Sequence, residues 1–257
     1  MLSKQHFCGI LFLSLKKEGI HTEEILKVLE ASALFSGFPQ DILQQIISYR
    51  QLQEYRKGQF LVSPQQELSR FGILLSGKIH IMHIFQEGSY SLMSVLTAGD
   101  MLGADLICTR TRRSPYHAMT AAPVRMLYFP SSMLTEPGFF PERWRLLALS
   151  NLATWISNEN IKKEYRLAIL SQKGLRERIL TYLTMQASRK QKTAFTIPFS
   201  REELAAFLCV NRSALSHELS LMQYEGLITF RKNYFSLNFL QTPGKYAFSE
   251  DPQEFPF

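Results

Sequence analysis

The residues best suited to chemistry are the polar side chains of residues 211–226. Asn211 is a strong helix N-cap and Gly226 is a common helix terminator, so the two delimit a predicted helix. Its apolar residues recur at steps of four and three, which predicts a buried face: Leu215, Leu219 and Met222. The opposite face carries Arg212, Ser213, Ser216, His217 and Ser220. Short side chains permit close approach and an arginine can donate two hydrogen bonds to guanine, so the pattern predicts a helix that reads the DNA major groove.

A second helix and a hairpin flank this segment. Residues 200–203 read Ser-Arg-Glu-Glu, a capping-box pattern that predicts a helix start. Two apolar runs, residues 227–230 and 234–237, enclose the sequence Arg-Lys-Asn at 231–233, which predicts a hairpin with a basic tip that can contact phosphate. Together these elements predict a winged helix-turn-helix. A helical hairpin used only for packing is the alternative.

The charge distribution favours an anionic partner for the same segment. The net charge is +7. Residues 171–240 hold 10 Lys and Arg against 5 Asp and Glu, whereas residues 1–170 hold 18 against 14. Positive charge is therefore densest around the predicted DNA-reading helix.

The elements that must position this segment differ along the chain. Residues 22–56 carry apolar residues at steps of three and four, so we expect them to be helical with a break at 37–39. Between residues 58 and 130, short apolar runs with glycine punctuation predict an antiparallel sandwich or barrel. The basic stretch 188–196 is predicted to be a loop.

A long helix is predicted for residues 142–170. Apolar residues alternate at steps of three and four, a coiled-coil register that predicts pairing with a second copy. The predicted dimer seam comprises Leu149, Ala153, Ile156, Asn160, Lys163 and Leu167. Its two polar residues weaken the seam and fix its register. A helix that packs only on its own domain is the alternative.

These segments resemble the Crp/Fnr family of bacterial transcriptional regulators. The resemblance rests on residues 199–237, on the glycines of residues 58–103, and on a long helix where the family has its dimer helix. It implies an α+β protein with an antiparallel double-stranded β-roll (jelly-roll-like) sensor, a long dimerisation helix and a C-terminal winged helix-turn-helix. The implied domains are an extension (1–24), the sensor (25–140), the dimerisation helix (141–170), the DNA-binding domain (171–240) and a tail (241–257).

The resemblance also implies roles for individual residues. Arg212 corresponds to the main base-reading residue, with Ser213 and His217 beside it. Ser200 and Asn211 are placed near phosphates, and the predicted DNA-binding set is completed by Arg201, Ser216 and Lys232. Many members have arginine where this chain has His217, so the resemblance transfers no operator sequence. The implied partners are near-palindromic double-stranded DNA and a second copy of the chain, with RNA polymerase a further candidate.

The effector site departs from the family pattern. In members that bind cyclic nucleotides, a glutamate just after the equivalent of Gly103 holds the ribose and an Arg-Ser pair holds the phosphate. This chain has Ala104 and then Asp105 at the first place, and Arg113-Ser114 at the second. We expect an anionic or apolar small effector other than cyclic AMP; cyclic AMP itself and no ligand are the alternatives. The expected effector residues are Gly103, Ala104, Asp105, Arg112, Arg113 and Ser114.

Enzymes and cofactor proteins fit the sequence less well. The cysteines Cys8, Cys108 and Cys209 are far apart, so no iron–sulfur or zinc site is expected. A metal-dependent cupin would use His80, His83, Glu87 and His117, but strand alternation places His80 and His83 on opposite faces. Since no catalytic signature appears, we expect no catalytic residue, metal or certain cofactor. A signalling module that does not bind DNA is the other rival.

No apolar run reaches the roughly 18 to 20 residues that a membrane-spanning helix needs. Residues 7–15 follow a lysine and weakly resemble a secretory leader, but no cleavage site follows them. We therefore expect an N-terminal packing segment and a cytoplasmic protein without a membrane partner.

Overall fold

The structure, a computed structural model, describes residues 22–238. It divides into two compact units, residues 22–81 with Val95–Trp155, and Met82–Ser94 with residues 156–238. The predicted packing segment 7–15, Cys8 and the tail 241–257 lie outside the described residues. No described helix combines the length and the apolar character needed to cross a membrane.

Two short helices open the first unit. These are α1 (Thr22–Ala31) and α2 (Gln40–Ile47), joined through a 3-10 turn at Ala33–Phe35. Their regularly spaced apolar residues are buried, as their periodicity predicts.

The expectation that residues 22–56 are helical throughout is wrong at its C-terminal end. Gln51–Tyr55 is strand β1, an edge strand in which Gln51 lies opposite Tyr128 and Tyr55 opposite Val124. An edge strand tolerates exposed Gln and Glu on its outer side. The pairing partner lies more than 65 residues away in sequence, so local periodicity carried no information about it.

Eight strands form two four-stranded antiparallel sheets. Their bounds are β1 Gln51–Tyr55, β2 Phe60–Val62, β3 Arg70–Ser76, β4 Ile79–Ile84, β5 Tyr90–Leu96, β6 Met101–Leu102, β7 His117–Thr120 and β8 Val124–Pro130. The strand orders are β1-β8-β3-β6 and β2-β7-β4-β5. This is the predicted β-roll; besides β1, the sequence pattern did not predict the two-residue strand β6.

The sequence of strand β3 contains a continuous apolar run and does not alternate between apolar and polar residues. Its residues 71–75 are all buried, because both faces of the strand are covered. Phe71 and Ile73 belong to the core cluster shared with the helices. The chain then turns at Gly77, whose φ is +103° and where an added Cβ would lie 2.2 Å from the Pro123 carbonyl oxygen, so only glycine fits there.

The long helix α4 spans Glu142–Leu170, as predicted, and follows the short helix α3 (Ser132–Thr135). Ala148 and Leu152 on one side are buried and pack in the core cluster. Further along the same helix, Leu167 is 62% exposed and Ile156 is 37% exposed. Helix α4 therefore packs against the core cluster and still leaves apolar side chains exposed.

The second unit contains three helices after α4 and a three-stranded sheet. The bounds are α5 Leu175–Lys190, β9 Ala194–Thr196, α6 Arg201–Phe207, α7 Arg212–Tyr224, β10 Ile228–Arg231 and β11 Tyr234–Leu237, with sheet order β10-β11-β9. The prediction of a loop over 188–196 is wrong at both ends. Helix α5 continues to Lys190, and β9 pairs with β11, where Phe195 lies opposite Phe235 in the core.

Candidate functional site

Helix α6 begins with the predicted capping box. The Ser200 hydroxyl accepts a hydrogen bond from the Glu203 backbone N–H at 3.2 Å, and the Glu203 carboxylate accepts one from the Ser200 N–H at 2.7 Å. Both partners come from the same four residues, which is why the sequence alone could predict the geometry. The Ser200 side-chain oxygen therefore caps α6 in the free protein.

A tight turn then connects α6 to α7. Cys209 occupies the left-handed region with φ of +57°, and the Val210 N–H donates to the Ala205 carbonyl at 3.0 Å. The Asn211 side-chain oxygen starts α7 by accepting hydrogen bonds from the Ala214 N–H at 2.7 Å and the Ser213 hydroxyl at 2.8 Å. The cap fixes where α7 begins and which residue occupies its first turn.

Packing fixes the rotation of α7 about its axis. Leu215, Leu219 and Met222 are completely buried, as their spacing predicts. The polar side chains predicted to read DNA, which we call the reading face, are those of Arg212, Ser213, Ser216, His217 and Ser220. All of these residues are exposed except Ser216, which is partly buried. Arg212 lies in the first turn at the edge of this face, about 20° around the axis from the direction of Leu219. Within residues 22–238 the Arg212 and His217 side chains make no hydrogen bond, so their donors are available to a ligand.

Arg201 has a different position from the rest of the predicted DNA-binding set. Its guanidinium donates to the Lys232 carbonyl at 3.0 Å and lies 4.9 Å from the Phe230 ring centroid and 5.6 Å from that of Phe235. Arg201 thus ties the β10–β11 hairpin to the start of α6. Burial and then the nearby positive charge of Arg212 lower the pKa of Arg201. Two neighbouring guanidinium groups favour an anion beside them.

An ion-pair cluster that the sequence did not reveal holds the side of α7. Arg176, in the first turn of α5, contacts Glu218 at 2.6 Å and both carboxylate oxygens of Glu225 at 2.7 and 2.8 Å. These hydrogen bonds raise the pKa of Arg176. Glu218 and Glu225 are seven residues apart, two helical turns, so a single arginine spans half the length of α7. We call these three residues the α7 clamp.

The sensor residues lie in a long irregular stretch, residues 103–116, that we call the sensor turn. Asp105 follows the buried Ala104 in a turn rather than on a strand. Its carboxylate accepts a hydrogen bond from the Tyr116 hydroxyl at 3.0 Å. Burial and the Asp105 charge raise the pKa of Tyr116, which stays a neutral donor. Sequence reasoning missed Tyr116.

The remaining sensor residues also have partners within the protein. Ser114 is buried; its hydroxyl donates to the Tyr116 carbonyl at 2.8 Å and accepts from the Tyr116 N–H at 3.1 Å. The Arg113 side chain is exposed and donates to the Gln65 carbonyl at 3.0 Å. Arg112 has φ of +51°, and its N–H donates to the Thr109 hydroxyl at 3.1 Å. The structure thus brings Asp105 and Ser114 together through Tyr116, while Arg113 points to a neighbouring loop.

The residues considered for a metal site give no ligand set. Across residues 22–238, no three His, Cys, Asp or Glu side chains are placed to hold one metal ion.

Comparison with known proteins agrees with this architecture. The cyclic nucleotide-binding domain family matches residues 52–136, and the Crp-like helix-turn-helix domain family matches residues 177–240. Electron transport regulator A of Shewanella oneidensis is 24% identical over 186 residues, which cover 70% of this chain and 71% of that protein.

Solved structures share the fold at low sequence identity. The c-di-GMP-responsive global regulator CLP of Xanthomonas campestris has a TM-score of 0.62 at 14% identity, covering 77% of this chain and 99% of that one. FixK2 of Bradyrhizobium japonicum has a TM-score of 0.57 at 16% identity, covering 74% of this chain and 92% of that one. The two domain matches in this order, on this fold, define a regulator with a nucleotide-binding-type sensor and a DNA-binding domain. The chain belongs to the Crp/Fnr family of transcriptional regulators, which are DNA-binding proteins and not enzymes.

Proposed function

We propose that this chain acts as a cytoplasmic homodimer that reads a near-palindromic operator through the reading face of α7, under the control of a small effector other than cyclic AMP. The observation that carries the proposal is the reading face itself, an exposed row of polar side chains whose orientation is fixed by a buried opposite side. Such a helix presents hydrogen-bonding groups without reorganisation, which lowers the cost of binding.

Arg212 is the main base-reading residue in this proposal. Its position in the first turn of α7 is the part of a recognition helix that enters the major groove deepest. Its guanidinium can donate to O6 and N7 of one guanine. Ser213, Ser216 and His217 lie beside it and contact neighbouring base edges, so the histidine sets an operator preference of its own.

The residues around the reading face contact the backbone. Lys232 is exposed at the tip of the β10–β11 hairpin, where it can reach phosphate. Ser200 and Asn211 use their oxygens as caps, and exposed helix N-termini at these caps favour phosphate. Arg201 contributes charge beside Arg212 while it holds the hairpin.

A second copy of the chain is proposed to cover the seam on α4. Ala153, Ile156, Asn160, Lys163 and Leu167 are exposed along the helix, and Leu149 is partly buried. A helix that leaves Ile156 and Leu167 uncovered gains burial from an identical helix packed in the same register. Two recognition helices would then read half-sites about 34 Å apart.

Replacing Ile156 by lysine tests the dimer. Two like charges placed in the seam oppose association, so Ile156→Lys is expected to sediment as a monomer at concentrations where the parent is a dimer. Asn158→Lys adds the same charge at an exposed position outside the seam and should leave the dimer intact. An unchanged dimer for Ile156→Lys would remove these residues from the interface.

The effector is proposed to bind at the sensor turn, on residues Gly103, Ala104, Asp105, Arg112, Arg113 and Ser114. An anionic effector would contact Arg112 and Arg113, whereas an apolar one would have to reach the buried Ala104. Binding shifts the placement of the DNA-binding domains by favouring one of two states. RNA polymerase is the further partner proposed for the bound dimer.

Selection of genomic fragments tests the whole proposal. The purified protein is incubated with fragmented bacterial DNA, with and without small molecules from a cell extract. We expect recovered fragments to share an inverted repeat, and the extract to change the amount recovered. Recovery of fragments without a shared sequence would contradict sequence-specific reading.

A further inference from the structure

Tyr224 is the last residue of α7, and its side chain is unusually exposed. It is 91% exposed, more than any other large hydrophobic residue described. Within residues 22–238 its hydroxyl has no hydrogen bond. Burial of an aromatic ring contributes strongly to the free energy of folding, so a ring exposed to water adds little to stability. Tyr224 was not among the residues singled out by the sequence pattern.

The helical spacing places Tyr224 on the reading face. At 3.6 residues per turn, Ser220 and Tyr224 both point within about 20° of the direction of Ser213. The buried residues Leu219 and Met222 lie on the other side. Tyr224 therefore continues the row formed by Ser213 and Ser220, about 120° around the helix axis from Arg212.

The length of α7 decides what Tyr224 can touch. Twelve residues separate it from Arg212, a rise of about 18 Å along the helix axis. The major groove is only about 12 Å wide, so a straight helix with its N-terminus at the base edges must leave the groove floor before Tyr224. The C-terminal end of α7 thus comes out at the sugar-phosphate backbone, and the tyrosine hydroxyl is one of the donors that bind phosphate.

The α7 clamp prepares this end of the helix for a phosphate. Arg176 binds both carboxylate oxygens of Glu225, the residue next to Tyr224. The bidentate contact fixes the end of the helix and neutralises a carboxylate that would otherwise repel the DNA backbone. Tyr224 is thus held in place at its main chain while its hydroxyl is free.

We propose that Tyr224 donates a hydrogen bond to a DNA phosphate at the edge of the groove and so sets how deeply α7 enters it. The inference rests on the proposed function, because it needs α7 to be the DNA-reading helix. Tyr224 is in this view a positioning residue, whose contact is the same for every operator sequence.

The test compares Tyr224→Phe with the parent on a selected operator by fluorescence anisotropy. Loss of one solvent-accessible hydrogen bond is expected to weaken binding about 3- to 10-fold, equally on operators of different sequence. The dependence of affinity on salt should keep its slope, because no cation is lost. Tyr49→Phe, which alters an exposed tyrosine of the first unit, is the matched control and should bind like the parent.

A scan with methylphosphonates locates the contact. Each phosphate of one half-site is replaced in turn by a neutral methylphosphonate, and the affinity of parent and Tyr224→Phe is measured. At one phosphate, the methylphosphonate should weaken binding of the parent but should not weaken binding of Tyr224→Phe further, because the variant already lacks the contact. Coupling at no phosphate would overturn the proposal.

Arg212→Ala separates the two possible failures. If Tyr224→Phe and Tyr224→Ala both bind like the parent while Arg212→Ala binds weakly, α7 reads DNA and the Tyr224 contact is refuted. If Arg212→Ala also binds like the parent, α7 is not the reading helix and the proposed function fails with the inference. Unchanged thermal midpoints for all variants show that the comparison concerns folded proteins.

Discussion

The reading face and the sensor turn are both polar, but they differ in what their polar atoms do in the free protein. On the reading face, Arg212 and His217 project into solvent without a partner among the described residues. In the sensor turn, Asp105 and Ser114 are both bound to Tyr116. One region is ready for an external ligand, whereas the other already satisfies its own hydrogen bonds.

The difference teaches that matching residue types are insufficient evidence for a binding site. A ligand that contacts Arg212 and His217 breaks no hydrogen bond of these side chains to the described residues and displaces only water. A ligand that used Asp105 or Ser114 would first have to free them from Tyr116, and a buried group left without a partner is costly. The Arg113-Ser114 pair therefore has the family's residue types, but an effector that used Ser114 would first have to break its hydrogen bonds to Tyr116.

The largest expected effect belongs to Arg212→Ala. Loss of a bidentate guanine contact should cost about 1 to 3 kcal/mol, or roughly 5- to 150-fold in Kd for a selected operator. Anisotropy titration measures it. Arg110→Ala removes an exposed arginine of the sensor turn and should bind as the parent does. Equal losses for the two variants would mean that total charge, and not the reading face, determines affinity.

A smaller effect is expected from Arg176→Gln, which opens the α7 clamp. The contacts are partly exposed, with 34% of the Arg176 side chain accessible, so we expect operator binding to weaken by about 2- to 5-fold at low salt and less at high salt. Lys190→Gln, at an exposed position of α5, removes the same charge without touching the clamp. If both variants weaken binding alike, the clamp has no orienting role.

No binding of cyclic AMP to the protein is expected. Ala104 lacks the ribose-binding carboxylate and Ser114 is committed to the backbone, so calorimetric titration should detect no binding tighter than about 1 mM. Micromolar binding that disappears in Arg113→Ala would contradict this prediction. The side chains of the sensor turn would then be available to a ligand, like those of the reading face.

The fold was largely predictable because most of its signals are local. Helix α4 has the predicted bounds, since apolar residues recur at steps of three and four and no glycine or proline lies between Pro141 and Gly174. The strands with glycine turns were predicted for the same reason. Two elements failed because their partners are distant: β1 pairs with β8, and β9 pairs with β11. An edge strand of Gln and Glu has no apolar alternation to reveal it.

The site divides in the same way. The capping box at Ser200 and the cap at Asn211 involve residues three apart, so the sequence alone predicted both. Arg176 lies 49 residues from Glu225, and Tyr116 lies 11 residues from Asp105. Such contacts depend on tertiary packing, and no periodicity encodes them. Helical spacing places Tyr224 away from the predicted buried side of α7, but its 91% exposure comes from the structure.

The most direct test of the central claim is the base preference of the parent and of Arg212→Ala, each determined by selection from random duplex DNA. If the reading face recognises DNA, the parent will select an inverted repeat with half-sites about one helical turn apart. The Arg212→Ala variant will then lose its preference for guanine at one position in each half-site and keep the rest. An identical motif for both proteins, or no symmetric motif for the parent, would contradict the account.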